Sequence, residues 1–303
     1  HHLPGDVLPP ADAIVNPNQP GCEFPSKNLA GVGVAFYIML ALKAELQQQG
    51  HFEKAGVAPP NLASLLDIVA VGTVADVVVL DKNNRILVHQ GLQRIRAGKC
   101  RPGIKALVEV ANRDCAHLTS TDLGFVVGPR LNAAGRLDDM SQGIACLLED
   151  ETIQARMIAA ELDALNKERR EIETGMKAQA ETVLEQMALN EGDMPSALVV
   201  YREDFHQGVI GIVAGRLKEK YLKPVIAFAH QDDEIIKGSA RSIPGVHIRD
   251  VLDEVNTRYP GVIEKFGGHA MAAGLSLPVA KLQDFERAFV NIARAHMAKL
   301  DGN

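Results

Sequence analysis

The stretch Lys265-Phe-Gly-Gly-His-Ala-Met-Ala-Ala-Gly274 decides how the last third of the chain is interpreted. Gly267 and Gly268 lack a Cβ atom, so their main-chain N–H groups can approach a ligand closely. His269 follows directly, and the small residues after it leave room for a bulky group. The stretch predicts either a non-helical loop that cradles an anion or nucleotide, or a tight turn before a strand, with a surface histidine.

Strand and helix patterns alternate on both sides of this stretch, from residue 193 to the end of the chain. Short apolar runs predict strands at 197–201, 224–229, 235–240 and 273–277, and amphipathic patterns predict helices at 209–221, 248–255 and 279–300. The pattern indicates a small mixed α/β domain over 193–303. Its polar signals lie in loops or at element ends, where binding sites collect. These are His206, Gln207, Ser239, Arg241 and the glycine stretch.

The residues before 193 have mostly helical patterns, with one short buried strand expected at Ala13 to Val15. From 152 to 190 apolar residues recur at intervals of mostly three to five, with charged residues between them. This spacing is typical of a long connector helix. We therefore expect an α/β fold whose helix-rich first part, 1–147, is joined by a connector over 148–192 to the second domain.

The amino-acid composition excludes some classes of protein function. The 303 residues are 47% hydrophobic and 23% charged, which suits a globular protein of two domains. The net charge of −6 excludes a general basic coat for nucleic acid, so such binding would need a local patch. Aromatic residues, at 4% with no Trp, argue against a row of stacking platforms. Four cysteines without metal or disulfide spacing favour reduced thiols in the cytoplasm, and no apolar run is long enough to span a membrane.

Asp76 conflicts with its surroundings, because it stands in the middle of the apolar run from Gly72 to Leu80. A buried carboxylate is unfavourable unless it is paired, hydrogen-bonded or bound to a metal. The run therefore predicts a metal ligand or another site role for Asp76. The alternative is that its carboxylate caps a turn through backbone N–H groups.

A loop of small residues is predicted over 128–139, with Arg130, Asn132 and Arg136 on it. Arginine offers a planar fork of donors and glycine lets the backbone approach, so the loop suits phosphate binding. The alternative is that Arg136 pairs with Asp138 or Asp139 and only shapes a turn.

Several stretches taken together resemble the RecJ family of bacterial 5′→3′ exonucleases, which act on single-stranded DNA and belong to the DHH/DHHA1 phosphoesterase superfamily. The stretches that carry the resemblance follow one another in the family's order along the whole chain. Each motif is weak evidence by itself, and the resemblance is specific because their order and spacing match. The stretches are Gly72-Thr-Val-Ala-Asp-Val-Val78, Gly128-Pro-Arg-Leu-Asn-Ala-Ala-Gly-Arg136, His206-Gln-Gly-Val-Ile-Gly211, Gly238-Ser-Ala-Arg-Ser242 and Phe266-Gly-Gly-His-Ala-Met-Ala-Ala-Gly274.

The resemblance implies chemistry at the first residues of the chain. The superfamily is named for an Asp-His-His motif, and this chain begins with His1-His2. Two divalent cations, Mn²⁺ or Mg²⁺, are implied, with His1 and Asp76 as metal ligands and Asp76 and His2 as catalytic residues. Further family aspartates would lie upstream and an oligonucleotide-binding domain downstream, so we expect a fragment with an incomplete metal site that is inactive by itself.

The second domain resembles DHHA1, the substrate-binding half of the superfamily. The resemblance implies that a single strand of DNA passes between the domains, too narrowly for a duplex, with Arg130 and Arg136 reaching into the cleft. It also implies a role in DNA repair and recombination, with a single-strand-binding protein and a recombination helicase as partners, and no membrane partner. The residues expected to bind nucleic acid are Arg130, Asn132, Arg136, His206, Gln207, Ser239, Arg241, Gly267, Gly268 and His269.

Two alternatives remain open at this point. One is a DHH phosphodiesterase for short oligonucleotides or cyclic dinucleotides, against which the long connector and the 128–136 stretch argue. The other is a non-catalytic nucleic-acid-binding or replication-scaffold protein, which would have lost its metal ligands. The presence of His1, His2 and Asp76 argues against the scaffold.

Overall fold

The computed structural model describes residues 1–5, 7–137, 139–187 and 194–301. The side chains of residues 136–137, 180, 183–187 and 301 lie outside that description. The chain forms two compact units, His1–Lys167 and Glu168–Asn303, and the division falls inside its longest helix. No helix among the residues described is long and apolar enough to cross a membrane.

Helices form the regular structure of the first unit, whose described residues contain no strand. Two short 3-10 turns lie at Leu62–Leu65 and Cys115–His117, and a π-helix covers Leu123–Val127. The helices are α1 (Gly31–Gln48), α2 (His51–Ala55), α3 (Leu66–Ala75), α4 (Lys82–Arg96), α5 (Pro102–Val110), α6 (Ser120–Asp122), α7 (Gly128–Leu137), α8 (Ser141–Leu148) and the long α9 (Thr152–Met187), which continues into the second unit.

Local sequence signals explain where several of these helices begin. Asp81 caps α4 by accepting a hydrogen bond from the Asn84 backbone, and Pro102 occupies the first turn of α5, where its missing N–H costs nothing. Thr119 and Asp122 form a capping box at α6. The apolar faces of α3, α4, α5 and α9 then meet in one buried cluster, which includes Ile95.

Two expectations for this unit are wrong. Residues 13–15 form no strand, and Val15 is 59% exposed, because the run has no partner strand to pair with. Residues 128–137 form helix α7, where a loop was expected. Their small side chains favour tight packing, since Ala133 and Ala134 are fully buried. Asp138, one of the expected partners of Arg136, lies outside the described residues.

The second unit is built on one five-stranded sheet of order β1-β2-β3-β5-β4. β1 pairs with β2 in parallel, and the other neighbours pair antiparallel. The strands are β1 (Leu198–Tyr201), β2 (Val225–His230), β3 (Ile235–Arg241), β4 (Lys265–Gly268) and β5 (Ala272–Pro278), and the helices are α10 (Ile210–Tyr221), α11 (Ile248–Arg258) and α12 (Leu282–Asp301).

The two faces of this sheet differ in what they carry. On one face, alternate residues such as Ile236 and Leu275 are buried in a cluster with α11 and α12. On the other face, α10 packs over β2 and β3, and residues of β1 join the same buried cluster. There the β3, β5 and β4 strands present Ser239, Gly274 and Gly267, which lie side by side in the strand register. This part of the second face carries only small or polar residues, and Gly274 and Gly267 are exposed to solvent.

The expected glycine loop is a strand with a tight turn. Gly267 and Gly268 belong to β4, and the His269 N–H donates to the Ala272 carbonyl, 2.9 Å away, across a hairpin. The prediction of a non-helical loop is therefore wrong in its secondary structure. The tight turn ahead of a strand, stated as the alternative, matches the chain path.

Candidate functional site

His1 and Asp76 face one another in the first unit. The His1 Nε2 atom lies 3.3 Å from Asp76 Oδ2, and the two side chains are 21% and 41% exposed. The His2 ring packs beside the His1 ring, with 4.4 Å between ring centres. Residues separated by more than seventy positions in the sequence are thus brought into contact at one place.

Two asparagine side chains hold the chain at this pair. Asn18 Nδ2 donates to the His1 carbonyl at 2.8 Å, and Asn16 Nδ2 donates to the His2 carbonyl at 2.8 Å. Gly31 begins α1 next to the His1 ring, where a Cβ atom would lie 3.7 Å from His1 Cδ2. The turn at 16–21 therefore positions both histidines through main-chain groups.

Asp76 is not buried, contrary to what its apolar surroundings in the sequence predict. Asp76 is the C-terminal cap of α3, and the apolar residues after it are not buried: Val77 is 87% exposed and Val79 is 65% exposed. The run looked like a core segment because apolar residues are usually buried, but α3 ends at Ala75 and the chain then passes over the surface. Asp76 is placed at the site by helix α3, without burial.

The donor atoms here suit a divalent cation, but the set is small. An imidazole nitrogen and a carboxylate oxygen are ligands that Mn²⁺ and Mg²⁺ sites use. Within the described part of the chain, no group of three or more His, Cys, Asp or Glu side chains could hold a metal ion. His1 and Asp76 therefore fit part of a metal site, and a complete site needs additional ligands.

Arg130, on α7, is held within its own unit. Its Nε donates to Asp163 Oδ1 at 2.9 Å and its Nη1 to the Val126 carbonyl at 2.9 Å, and the side chain is only 15% exposed. Burial alone would raise the pKa of Asp163, but its bonds to Lys167 and Arg130 outweigh burial and lower that pKa. This network ties Arg130 to α9.

The other two residues of this stretch differ from Arg130. Asn132 is exposed on α7. The side chain of Arg136 lies outside the described residues, so the predicted pairing with Asp138 or Asp139 is not described either. Nucleic-acid binding by Arg130, Asn132 and Arg136 stays a prediction.

In the second unit, Ser239 and Arg241 meet the beginning of α10. Arg241 Nη1 donates to Ser239 Oγ at 3.0 Å and to the Ala240 carbonyl at 2.8 Å. Gly211, in the first turn of α10, approaches so closely that a Cβ atom there would lie 2.8 Å from Arg241 Nη2 and 3.0 Å from Ser239 Oγ. Arginine, hydroxyl and helix N-terminus together form a corner suited to an anion. We call Gly211, Ser239 and Arg241 the arginine corner.

Sequence reasoning missed Gly211. Its signal was the stretch His206-Gln-Gly-Val-Ile-Gly211, where a glycine stands inside the first turn of a predicted helix. Glycine weakens a helix, so its presence there points to a close approach by another group. The sequence does not tell which group approaches, because Arg241 comes from a strand that is distant along the chain.

The two glycines of β4 differ in whether the fold requires glycine at their position. Gly268 has a φ of 151°, and a Cβ atom there would lie 2.5 Å from the Ala272 carbonyl oxygen, so the hairpin itself requires glycine. At Gly267 a Cβ atom would meet no heavy atom within 4 Å. Gly267 is therefore the glycine whose open main chain a ligand could use. His269 is exposed in the turn.

His206 and Gln207 lie in the loop before α10, and each has a local hydrogen bond. The Gly208 N–H donates to His206 Nδ1 at 3.0 Å, and Gln207 Nε2 donates to the His230 carbonyl at 2.7 Å. Both residues are exposed. They lie four to five positions before Gly211, at the same end of α10 as the arginine corner.

Comparisons with known proteins identify the second domain. Residues 195–295 match the family model described as "DHHA1 domain". The chain is 61% identical over 289 residues to the single-stranded-DNA-specific exonuclease RecJ of Escherichia coli, covering 95% of this chain and 50% of that protein. The chain spans about half the length of that protein and of the RecJ proteins of Salmonella typhimurium and Dickeya dadantii, which it also matches.

Solved structures extend the match to both units. RecJ of Thermus thermophilus in complex with Mn²⁺ is 30% identical, with a TM-score of 0.77, and the match covers 97% of this chain and 40% of that one. A second structure, exonuclease RecJ bound to manganese, is 31% identical with a TM-score of 0.74, covering 97% of this chain and 68% of that one. The α/β fold expected from the sequence is thereby confirmed. Because it is 31% identical to an exonuclease RecJ of which it spans more than two thirds, the chain belongs to the RecJ exonuclease family.

Proposed function

We propose that the full-length protein containing this chain is a metal-dependent exonuclease that hydrolyses phosphodiester bonds of single-stranded DNA from the 5′ end. The observation that carries the proposal is the contact between His1 and Asp76, 3.3 Å apart, in a chain of the RecJ family. A second observation, the arginine corner, supports binding of a phosphate by the DHHA1 domain.

Each residue has a role in this proposal. Asp76 and His1 would hold a divalent cation, Mn²⁺ or Mg²⁺, in a two-metal site that needs further ligands beyond this chain. Such a cation lowers the pKa of bound water and neutralises charge that develops on the phosphate. His2 would orient the scissile phosphate or the His1 ring, since it packs against that ring.

The DHHA1 domain would hold the strand. Arg241 would donate to a phosphate oxygen with Ser239 beside it, and the main chain of Gly267 would let a nucleotide approach the sheet. His206, Gln207 and His269 would add polar contacts from neighbouring loops. Because this basic and polar character is local, it is compatible with a net charge of −6.

The biological setting follows from the family. We infer a role in DNA repair and recombination in the cytoplasm. A single-strand-binding protein and a recombination helicase would be its protein partners.

The test is a nuclease assay on the full-length protein with Mn²⁺ or Mg²⁺ and single strands labelled at either end. We expect mononucleotides released from the 5′ end, with duplex DNA resistant. Asp76→Ala should remove most activity and leave the thermal unfolding curve nearly unchanged, because Asp76 is 41% exposed.

A matched control is Asp114→Ala, since Asp114 forms a similar pair with His117, at 2.9 Å, on the surface of the same unit. Asp114→Ala should retain activity. Preference for cyclic dinucleotides over single strands, or normal turnover by Asp76→Ala, would contradict the proposal.

A further inference from the structure

Two exposed apolar side chains belong to segments that adjoin Asp76. The structure describes all nine phenylalanines of the chain, and Phe125, at 80%, is the one whose side chain is largely exposed. Val77, directly after Asp76, is 87% exposed. Large apolar side chains left in water are unfavourable, so two of them on segments that adjoin a candidate catalytic residue call for an explanation.

The backbone under both residues is unusual. Val77 has a φ of 60°, a left-handed conformation that is strained for a β-branched residue. Phe125 lies in the middle of the π-helix Leu123–Val127, a rare form that is frequently found at functional sites. A strained or irregular backbone persists only where the surrounding contacts hold it in place. Here a strained residue and an irregular helix lie on neighbouring segments.

Packing around Val74 brings these segments together. A Cβ atom on Gly124, the neighbour of Phe125, would lie 3.3 Å from Val74 Cγ1, and the Val77 N–H donates to the Val74 carbonyl at 3.1 Å. The next turn is equally close, since a Cβ atom on Gly128 would lie 3.4 Å from Ala75 Cβ. The π-helix is therefore packed against the last turn of α3, the turn that ends at Asp76.

We propose that Phe125 and Val77 form a stacking platform for a nucleobase of the single strand, next to the residues that act on its phosphate. The occupant is argued from position, since the platform adjoins Asp76, and from chemistry, since an uncharged aromatic ring suits the flat face of any base. This inference rests on the proposed function. It gives the first unit a contact with the base, which a set of metal ligands alone does not provide.

The proposal also explains why so few aromatic residues are needed. One stacking position near the reacting bond can serve each nucleotide of a strand in turn, whatever its base. Stacking tolerates every base, because every base has a π-face. The buried neighbours Leu123, Val126 and Val127 anchor the segment, so the ring of Phe125 can be presented without a large local rearrangement.

The test measures coupling between Phe125 and the bases of the ligand. The full-length protein is titrated, in EDTA to prevent cleavage, with an oligothymidylate and with the same strand carrying abasic residues near its 5′ end. We expect Phe125→Ala to weaken binding of the intact strand about 5- to 150-fold, the range for loss of one base–aromatic contact. On the abasic strand the same substitution should change affinity less than about 2-fold, which is the scatter expected for unrelated contacts.

Two further variants separate stacking from packing. Phe125→Trp should bind the intact strand at least as well as the wild type, and Phe125→Leu should lose affinity although it keeps an apolar side chain. Ile153→Ala is the matched control, because Ile153 is 77% exposed on α9 of the same unit. It should leave both titrations unchanged.

Several outcomes would overturn the platform. Equal losses on intact and abasic strands would show that Phe125 does not touch a base. Full affinity in Phe125→Leu, or a large fall in melting temperature for Phe125→Ala, would show that other parts of the protein cover the ring. Failure of the proposed function is distinguishable, because then the wild type itself would not degrade single strands.

Discussion

Replacing Gly211 by alanine tests whether the first turn of α10 sets the position of Arg241. The new Cβ atom would lie 2.8 Å from Arg241 Nη2, whereas carbon atoms and their neighbours normally rest about 3.5–4.0 Å apart, so the guanidinium must move by about 1 Å. That movement strains its hydrogen bonds to Ser239 Oγ and the Ala240 carbonyl. The fold itself should tolerate it, because the displaced atom is the end of a flexible side chain.

The free energies can be worked from the same contacts. Exchanging glycine for alanine inside a helix stabilises by about 0.5–1 kcal/mol, and each hydrogen bond lost from Arg241 costs about 0.5–1.5 kcal/mol. If one of the two bonds is lost, Gly211→Ala should therefore leave the free energy of unfolding within about 1 kcal/mol of the wild type. Gly215→Ala, one turn later on the same helix with no atom within 4 Å of the new Cβ, should be more stable by about 0.5–1 kcal/mol.

The two variants should also differ in their affinity for single-stranded DNA. A charged hydrogen bond is worth about 1.5–3 kcal/mol, so Gly211→Ala should bind oligothymidylate about 10- to 150-fold more weakly, and Gly215→Ala should bind normally. Fluorescence anisotropy over a salt series should show a slope smaller by about 0.7 for one lost phosphate contact. Arg241→Ala should reproduce the loss, and adding Gly211→Ala to it should cost nothing more.

The reasoning would be refuted if Gly211→Ala bound with wild-type affinity and salt slope. It would also be refuted if the losses from Gly211→Ala and Arg241→Ala were additive, since that would mean Gly211 does not act through the guanidinium.

Substitutions at three other places in the chain have definite expected outcomes. Val77→Gly should be neutral or stabilising by up to about 1 kcal/mol, because it relieves a φ of 60° at an exposed residue, whereas Val79→Gly should destabilise in the same chemical melt. Asp163→Asn should lower the free energy of unfolding by about 3 kcal/mol at pH 7, since it leaves its basic partners unpaired. The folded-state pKa of Asp163 is lowered, so the stabilisation that its carboxylate provides is present above the ordinary pKa of 3.8 and is lost as the pH falls below 3.8. In urea melts the difference in stability between Asp163→Asn and the wild type should therefore shrink below that pH. A difference that stays constant with pH would contradict this role of the carboxylate. Gly267→Ala should fold normally, so that any loss of DNA affinity reports the ligand, whereas Gly268→Ala should lower the melting temperature because its Cβ atom meets backbone.

Local sequence signals predicted much of the fold. The apolar runs of the second unit placed four strands and their helices to within a few residues. These elements are specified by capping residues and periodicity, which are properties of neighbouring positions.

The wrong expectations share a physical cause. The 128–137 segment has the small residues of a loop, yet it is helical because Ala133 and Ala134 pack against the core. Ala13 to Val15 looked like a strand, but a strand needs a partner. Both outcomes depend on tertiary contacts, which residue types alone do not specify.

The site was predictable only in part. Asp76 was chosen for a burial that it does not have, although the structure does place it against His1. That pairing came from resemblance, because nothing in the sequence around a terminal histidine reveals its distant neighbour. Gly211 and Phe125 were not singled out, since one is defined by its distance to Arg241 and the other by its exposure.

The short outer strand β4 has a consequence for aggregation. It forms one edge of the sheet, where unpaired main-chain groups could recruit a strand from another molecule. β4 is only four residues long, carries the exposed Lys265, and contains two glycines, which have a low propensity for strands. These glycines therefore make the edge a poor template for self-association, so substitutions toward β-branched residues here should increase the tendency to aggregate.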